Sequence, residues 1–230
     1  MLLGQMPQSQ QPQWRIPWGR LPTRSSGAYV TAWMTGGPAD RESGYENMKD
    51  VVQQLASEQS IHVEKLIEWL KIPSVSTNSS LKGEVRQAGE WIREELSSAG
   101  FETRLDETEG HPICFAQWNG AEGAATLLIY GHYDVQPPEP LDLWRHGAFE
   151  PTLEGENLVA RGATDDKGQA LALVRGVCGV LRSRGSLPIN VKFVIEGEEE
   201  IGSPNLTPYL KSHKDELGAD VALIADCSQF

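Results

Sequence analysis

A histidine and a carboxylate stand close together directly after the apolar segment 127–130. His132 and Asp134 are two positions apart, so in an extended chain both side chains point to the same side. Such a pair can be a metal ligand with the group that orients it, or a catalytic base with its orienting partner. Taken alone, the motif is more often a hydrogen-bonded surface pair.

A second acidic motif, Asp165 and Asp166, precedes an apolar helical pattern that starts near Leu171. Adjacent carboxylates repel each other unless a cation lies beside them. One of them could cap the N-terminus of the helix. A bound metal accounts for both residues if Asp165 binds it and Asp166 caps or braces the turn. These two interpretations remain open at this point.

Acidic residues also follow two later apolar segments. The run Glu198, Glu199 and Glu200 comes shortly after segment 191–195, and Asp226 follows segment 221–225. A glutamate run is usually a solvated surface. However, a carboxylate pair can also divide a task, so that one binds a metal and the other accepts a proton from an activated water.

The hydrophobic spacing predicts the elements that position these residues. It predicts alternating helices and apolar strands, and hence an α/β layered domain with a central mixed, largely parallel sheet flanked by helices. In such sheets, ligands gather beyond the carboxyl ends of the strands. The predicted helices are 51–70, 85–99, 171–181 and 207–217, and the predicted strands are 101–105, 113–118, 125–130, 158–160, 191–195 and 221–225.

One imidazole and several carboxylates at the ends of these elements favour Zn²⁺ or Mn²⁺ over Ca²⁺. The three cysteines, Cys114, Cys178 and Cys227, are not spaced as metal ligands. The sequence also lacks the glycine-rich nucleotide-binding motifs and the serine nucleophile elbow. These observations favour a metal site, and a hydrolase that uses two metal ions would need a bridging carboxylate, terminal ligands on each ion and a base.

Composition narrows the class of protein further. The chain has 230 residues, 39% of them hydrophobic, and a net charge of −12. That charge disfavours binding to nucleic acids and to anionic membranes. No apolar stretch is long enough to span a bilayer, and no secretory signal is recognisable. The odd, dispersed cysteines favour a reducing compartment, and we expect a cytoplasmic protein.

The sequence resembles the M20 family of metallopeptidases, and within it the carnosinase-like dipeptidases. The resemblance implies a zinc-peptidase-like fold over residues 48–230. Residues 1–47 differ from the rest of the chain in their glutamine–proline clusters and their lack of an apolar period, and we expect them to be a disordered or non-native leader. The motifs that carry the resemblance are residues 130–137, Trp144, 160–168, 196–203 and 224–226.

The resemblance also implies a set of metal ligands. His132 and Asp226 would bind one divalent ion, Glu200 would bind a second, and Asp165 would bridge the two. Zn²⁺ is the expected metal, with Mn²⁺ or Co²⁺ as alternatives. The peptide bond between Asp165 and Asp166 is expected to be cis.

The catalytic roles follow from the same resemblance. Glu199 would be the general base, and Asp134 would orient His132. The expected reaction is hydrolysis of the amide bond of a dipeptide or short peptide. Residues 136–138 with Trp144 favour this dipeptidase branch. The alternative within the family is an N-acyl-amino-acid deacylase of the acetylornithine or succinyl-diaminopimelate type.

The sequence departs from the family pattern after Asp226. Family members have a lid or dimerisation domain and a later histidine ligand, and neither occurs before Phe230. We therefore expect residues 48–230 to be the N-terminal part of a catalytic domain, inactive alone, in a full-length protein that forms a homodimer. A third interpretation is an inactive fragment.

Overall fold

The computed structural model of the protein describes residues 38–226, with side chains from Met48 onward. The helices are α1 (Pro38–Ser57), α2 (Gln59–Leu70), α3 (Lys82–Ser98), α4 (Lys167–Arg184) and α5 (Leu206–Ser212). The strands are β1 (Glu102–Asp106), β2 (Ile113–Trp118), β3 (Thr126–His132), β4 (Thr152–Glu154), β5 (Asn157–Val159), β6 (Asn190–Glu196) and β7 (Val221–Ile224).

A five-stranded mixed sheet forms the centre of the domain, in the order β1-β2-β6-β3-β7. Strands β6, β3 and β7 are parallel to one another. Strand β2 pairs antiparallel with β6, and β1 pairs antiparallel with β2. Strands β4 and β5 form a separate hairpin. The predicted α/β class and mixed sheet are confirmed.

Side chains of β2 alternate between two apolar layers, as expected for a strand with period two. Cys114 and Ala116 face the main core, which contains buried residues of α2, α3 and α4. Ile113 and Phe115 face a smaller cluster with Tyr209 of α5. Helices therefore cover both faces of the sheet, which explains why β6 is buried along most of its length.

Glycine ends two of the helices where the sequence predicts it. Gly185 adopts φ 73° after α4, and its N–H donates to the carbonyl oxygen of Leu181. Gly100 adopts φ 95° after α3. Both positions use the left-handed conformation that glycine reaches without steric cost.

Most boundaries differ from the predicted ones by a few residues, and three differences are larger. The predicted helix 51–70 is two helices separated at Glu58, and α1 begins at Pro38 rather than near Met48. Helix α5 ends at Ser212 rather than at 217. Its continuation is replaced by a turn in which the Lys192 ammonium binds the carbonyl oxygens of residues 216 and 218.

The remaining predictions concern a short hairpin strand, the ends of the chain and membrane-spanning helices. Hairpin strand β4 was not predicted, because a three-residue strand is too short to show a period. Most of the predicted leader, residues 1–37, and residues 227–230 lie outside the described residues. Within the described part, no helix has both the length and the apolar character needed to cross a bilayer.

Candidate metal centre

The carboxyl ends of three adjacent parallel strands meet at one edge of the sheet. His132 ends β3 and is paired in register with Glu196, the last residue of β6. Asp226 follows the end of β7, which pairs with β3 on its other side. Parallel pairing therefore brings together residues that are almost a hundred positions apart in the chain.

His132, Asp165 and Asp226 form a cluster whose ligand atoms all lie within 4.8 Å of one another. The Nε2 atom of His132 lies 3.2 Å from Oδ1 of Asp165 and 3.8 Å from Oδ2 of Asp226. Two ligands at tetrahedral positions around Zn²⁺ stand about 3.4 Å apart, given zinc–ligand distances near 2.1 Å. The cluster has the spacing of a metal site.

The environment of His132 also fits a bound cation. Its side chain is fully buried, and Nε2 has no hydrogen-bond partner. A buried polar atom without a partner is costly unless something else satisfies it. The side chain of Asp165 is 58% exposed, so the cluster is open to solvent on that side. An ion could enter there and bind Nε2 in place of a proton.

Asp134 holds the opposite side of the imidazole. Oδ1 of this buried carboxylate lies 3.3 Å from Nδ1 of His132. The same carboxylate accepts backbone N–H groups from Glu199 at 3.2 Å and from Glu200 at 3.1 Å. Asp134 therefore fixes the histidine ring and the glutamate turn at the same time.

The acidic surroundings dominate the electrostatics of the imidazole. Burial lowers the pKa of His132, but the carboxylates of Asp134 and Asp165 outweigh burial and raise that pKa to about 11. In return, contact with His132 lowers the pKa of Asp165. A site that favours positive charge this strongly suits a divalent cation with neutral imidazole as a ligand.

Asp166 acts as a brace rather than as a helix cap. Its side chain makes no capping hydrogen bond to α4, and Oδ2 instead accepts the backbone N–H of His132 at 3.1 Å. Burial raises the pKa of this carboxyl to about 7. The peptide bond between Asp165 and Asp166 is cis, as the resemblance implied.

The glutamates at and after the end of β6 divide into two groups. Glu196 and Glu198 are buried, and they bind groups of the scaffold. Glu196 accepts hydrogen bonds from the hydroxyls of Tyr130 and Ser203. Glu198 accepts the backbone N–H of His111 and the side-chain amide of Asn205. These two carboxylates hold the loop and do not contact the cluster.

Glu199 and Glu200 lie on the open side. Oε2 of Glu199 is 3.9 Å from Nε2 of His132, so this carboxylate stands beside the cluster. Oε2 of Glu200 accepts a hydrogen bond from Nε2 of Gln136 at 2.5 Å. Partial burial and neighbouring carboxylates raise the pKa values of both glutamates. The structure brings His132, Asp165 and Asp226 together as one candidate ligand set, with Glu199 adjacent and Glu200 bound to Gln136.

Sequence reasoning assigned no separate role to two polar residues at this edge. Gln136 shares the alternation of His132 and Asp134, and that spacing could have marked it. Lys167 is fully buried, and its ammonium donates to the carbonyl oxygens of Trp69 and Ile72 at the C-terminal end of α2. Burial lowers the pKa of Lys167 to about 7. Only the tertiary structure shows its partners, which are almost a hundred residues away.

The fold and the cluster define an α/β domain with a candidate metal site at the carboxyl edge of its sheet. Residues 128–228 match the sequence family described as peptidase family M20/M25/M40. That segment contains each of the six predicted site residues: Asp134, His132, Asp165, Glu199, Glu200 and Asp226.

Individual relatives agree with this family. The chain is 28% identical over 197 residues to the Cys-Gly metallodipeptidase DUG1 of Saccharomyces cerevisiae, covering 78% of this chain and 41% of that protein. It is 42% identical over 116 residues to a succinyl-diaminopimelate desuccinylase of Rhodopseudomonas palustris, covering 46% and 28% respectively.

A solved structure agrees as well. The crystal structure of human carnosine dipeptidase 1 superimposes with a TM-score of 0.73 at 28% identity, covering 79% of this chain and 41% of that one. The predicted M20 resemblance and peptidase fold are confirmed. The chain spans about two fifths or less of the length of these three proteins.

Proposed function

We propose that the protein carrying this sequence is a metal-dependent hydrolase that cleaves the amide bond of dipeptides or short peptides. The observation that carries this proposal is the cluster of His132, Asp165 and Asp226, with Glu199 beside it. Similarity to the Cys-Gly metallodipeptidase and to the carnosine dipeptidase supports a dipeptide as substrate.

Two divalent ions, Zn²⁺ in preference to Mn²⁺ or Co²⁺, are proposed as the cofactors. His132 and Asp226 would hold the first ion, Glu200 the second, and Asp165 both. When bound, the ions polarise the amide carbonyl and lower the pKa of water. A mixed imidazole and carboxylate set supports zinc or manganese over calcium.

The protein residues would supply the proton transfers. Glu199 would accept a proton from the attacking water at its carboxylate and return it to the leaving amine. Partial burial, together with the charge of Asp226, raises its pKa, and a base with a raised pKa holds the proton better during transfer. Asp134 would keep the His132 ring in place through Nδ1.

The wider organisation is proposed on the same basis. Residues 48–230 would be the N-terminal part of a catalytic domain, and residues 1–47 a dispensable leader. The family resemblance is the basis for proposing a homodimer. The unpaired buried cysteines Cys114 and Cys178 support a cytoplasmic location. The net charge of −12 supports a protein that binds neither nucleic acids nor membranes.

Deacylation of N-acyl amino acids is the second candidate, supported by the similarity to a succinyl-diaminopimelate desuccinylase. A substrate panel on the complete polypeptide separates the two activities. After metal removal and add-back, we expect dipeptides to be hydrolysed faster than N-succinyl and N-acetyl amino acids. The reverse order would favour the deacylase. No turnover of either class with metal bound would favour an inactive protein.

A further inference from the structure

Gln136 touches a carboxylate that the proposed reaction requires. Its side-chain Nε2 lies 2.5 Å from Oε2 of Glu200. A carboxylate can only accept hydrogen bonds, so the amide of Gln136 must donate through its NH₂ group. We propose that Gln136 is a positioning residue that aims Glu200 at the second metal ion. This inference rests on the proposed two-metal function.

Glu200 is held at two points by the segment that follows β3. Its backbone N–H donates to Oδ2 of Asp134, and its side chain accepts from Gln136. Asp134 and Gln136 are alternate residues, so an extended chain presents both to the same side. The first contact places the backbone of Glu200, and the second selects the direction of its carboxylate.

The segment that carries Gln136 is itself anchored on both sides. The N–H of Val135 donates to the carbonyl oxygen of Ser74 at 3.0 Å. The guanidinium of Arg161 donates to the carbonyl oxygen of Pro137 at 3.0 Å, and it lies over the ring of Trp144 at 5.4 Å. A side chain on such a fixed segment can hold its partner in one position.

Trp144 completes this support. Its indole Nε1 donates to the carbonyl oxygen of Pro138 at 2.7 Å. The carbonyl groups of residues 137 and 138 are thus both occupied by side chains from other parts of the chain. The segment next to Gln136 therefore cannot turn away without breaking two hydrogen bonds and separating the Arg161–Trp144 pair.

A neutral amide is the chemically suitable partner for such a ligand. A lysine or arginine at position 136 would neutralise Glu200 and compete with a cation. The glutamine occupies one carboxylate oxygen, Oε2, and leaves the negative charge and the second oxygen for a metal. Outer partners of this kind typically change metal affinity by about 10–100-fold when removed.

The test compares Gln136→Leu with Gln117→Leu in the complete polypeptide. Gln117 is a matched control because its Nε2 also donates to a glutamate, Glu102, at 2.9 Å on the exposed surface away from the cluster. Each protein is titrated with Zn²⁺ under chelator competition, and dipeptidase activity is measured against free Zn²⁺. Thermal melting checks the fold of each variant.

For Gln136→Leu we expect unchanged melting, an unchanged first binding step, and a second step weakened roughly 10–100-fold. Activity lost at low zinc should return at saturating zinc, which a merely structural defect would not allow. The control should match wild type throughout.

Two results would overturn the inference. One is a second binding step in Gln136→Leu equal to that of wild type. The other is a wild type that binds a single ion and still hydrolyses dipeptides, since Glu200 would then have no metal to bind. A wild type that binds two ions but hydrolyses nothing would instead contradict the proposed function, and the binding arm would still decide the role of Gln136.

Discussion

Replacing Gly197 with alanine should destabilise the domain and weaken metal binding. Gly197 follows β6, and its backbone lies against the ring of Tyr133, the buried residue between His132 and Asp134. A Cβ atom at position 197 would lie 2.5 Å from three atoms of that side chain. Real Cβ contacts are longer, so the ring or the backbone must move.

The Tyr133 ring has little room to yield. On its other side it faces Gly89 of α3, where an added Cβ would lie 3.0 Å from the ring. Its hydroxyl donates to the carbonyl oxygen of Pro112 at 2.5 Å. Overpacking a well-filled core typically costs about 1–3 kcal/mol. For a domain of this size, the melting temperature should fall by roughly 2–12 °C.

Gly176→Ala is the matched control, because Gly176 lies inside α4 and an added Cβ would meet nothing within 4 Å. Alanine in a helix should stabilise by about 0.5–1 kcal/mol, or roughly 1–4 °C in melting temperature. Thermal melting by circular dichroism measures both variants, and zinc titration shows whether displacing Tyr133 disturbs His132.

A melting temperature of Gly197→Ala equal to that of wild type would refute the argument. The argument would also be refuted if Gly197→Ala lowered the melting temperature of a Tyr133→Leu variant as much as it lowers that of wild type. Without the ring, the added methyl group should cost much less, so the two substitutions should couple strongly.

Four further predictions concern the site and the scaffold. In the complete polypeptide, Glu199→Gln should keep its metal, measured by mass spectrometry, but its rate should fall at least about 100-fold. Asp165→Asn should instead lose metal. A Glu199→Gln variant that keeps a tenth or more of the wild-type rate would contradict the assignment of Glu199 as the base. The 230-residue chain itself should bind at most one Zn²⁺ tightly in calorimetry and hydrolyse no dipeptide, because two carboxylates make a poor second site; two tight ions with turnover would disprove this. A version beginning at Met48 should match the full chain in melting and zinc binding, and a clear loss of stability would show that the leader packs on the domain. Burial, aided by Arg175, lowers the pKa of His62 below its ordinary value near 6.5, so the folded state loses stability as pH falls below that value. His62→Gln should therefore flatten the pH dependence of the urea-derived unfolding free energy between pH 7 and 5, by no more than about 1.4 kcal/mol per pH unit. An unchanged slope would show that His62 does not cause the pH dependence.

Local patterns were enough to predict most of the elements. The apolar positions Val85, Ala88, Ile92 and Leu96 repeat at helical spacing, and all four are buried on one face of α3. This works because helix and strand periods are properties of neighbouring residues. The order of the acidic motifs after the apolar strands likewise predicted which sheet edge carries the site, since parallel strands end together.

Sequence spacing could not assign tasks within the motifs. Nothing local distinguishes Glu196 and Glu198, which bind the scaffold, from Glu199, which stands beside His132. Their side chains are sorted by partners from distant elements, such as the hydroxyl of Tyr130 and the N–H of His111.

The order of residues was therefore enough to predict the class of fold, the resemblance to a family and a set of candidate metal ligands. The tertiary structure alone decided that Asp166 braces His132 instead of capping α4, and that Gln136 binds Glu200. Periodicity is a property of residues that are close together in the sequence. The direction of a polar side chain depends instead on which donors and acceptors the folded chain brings within about 3 Å of it.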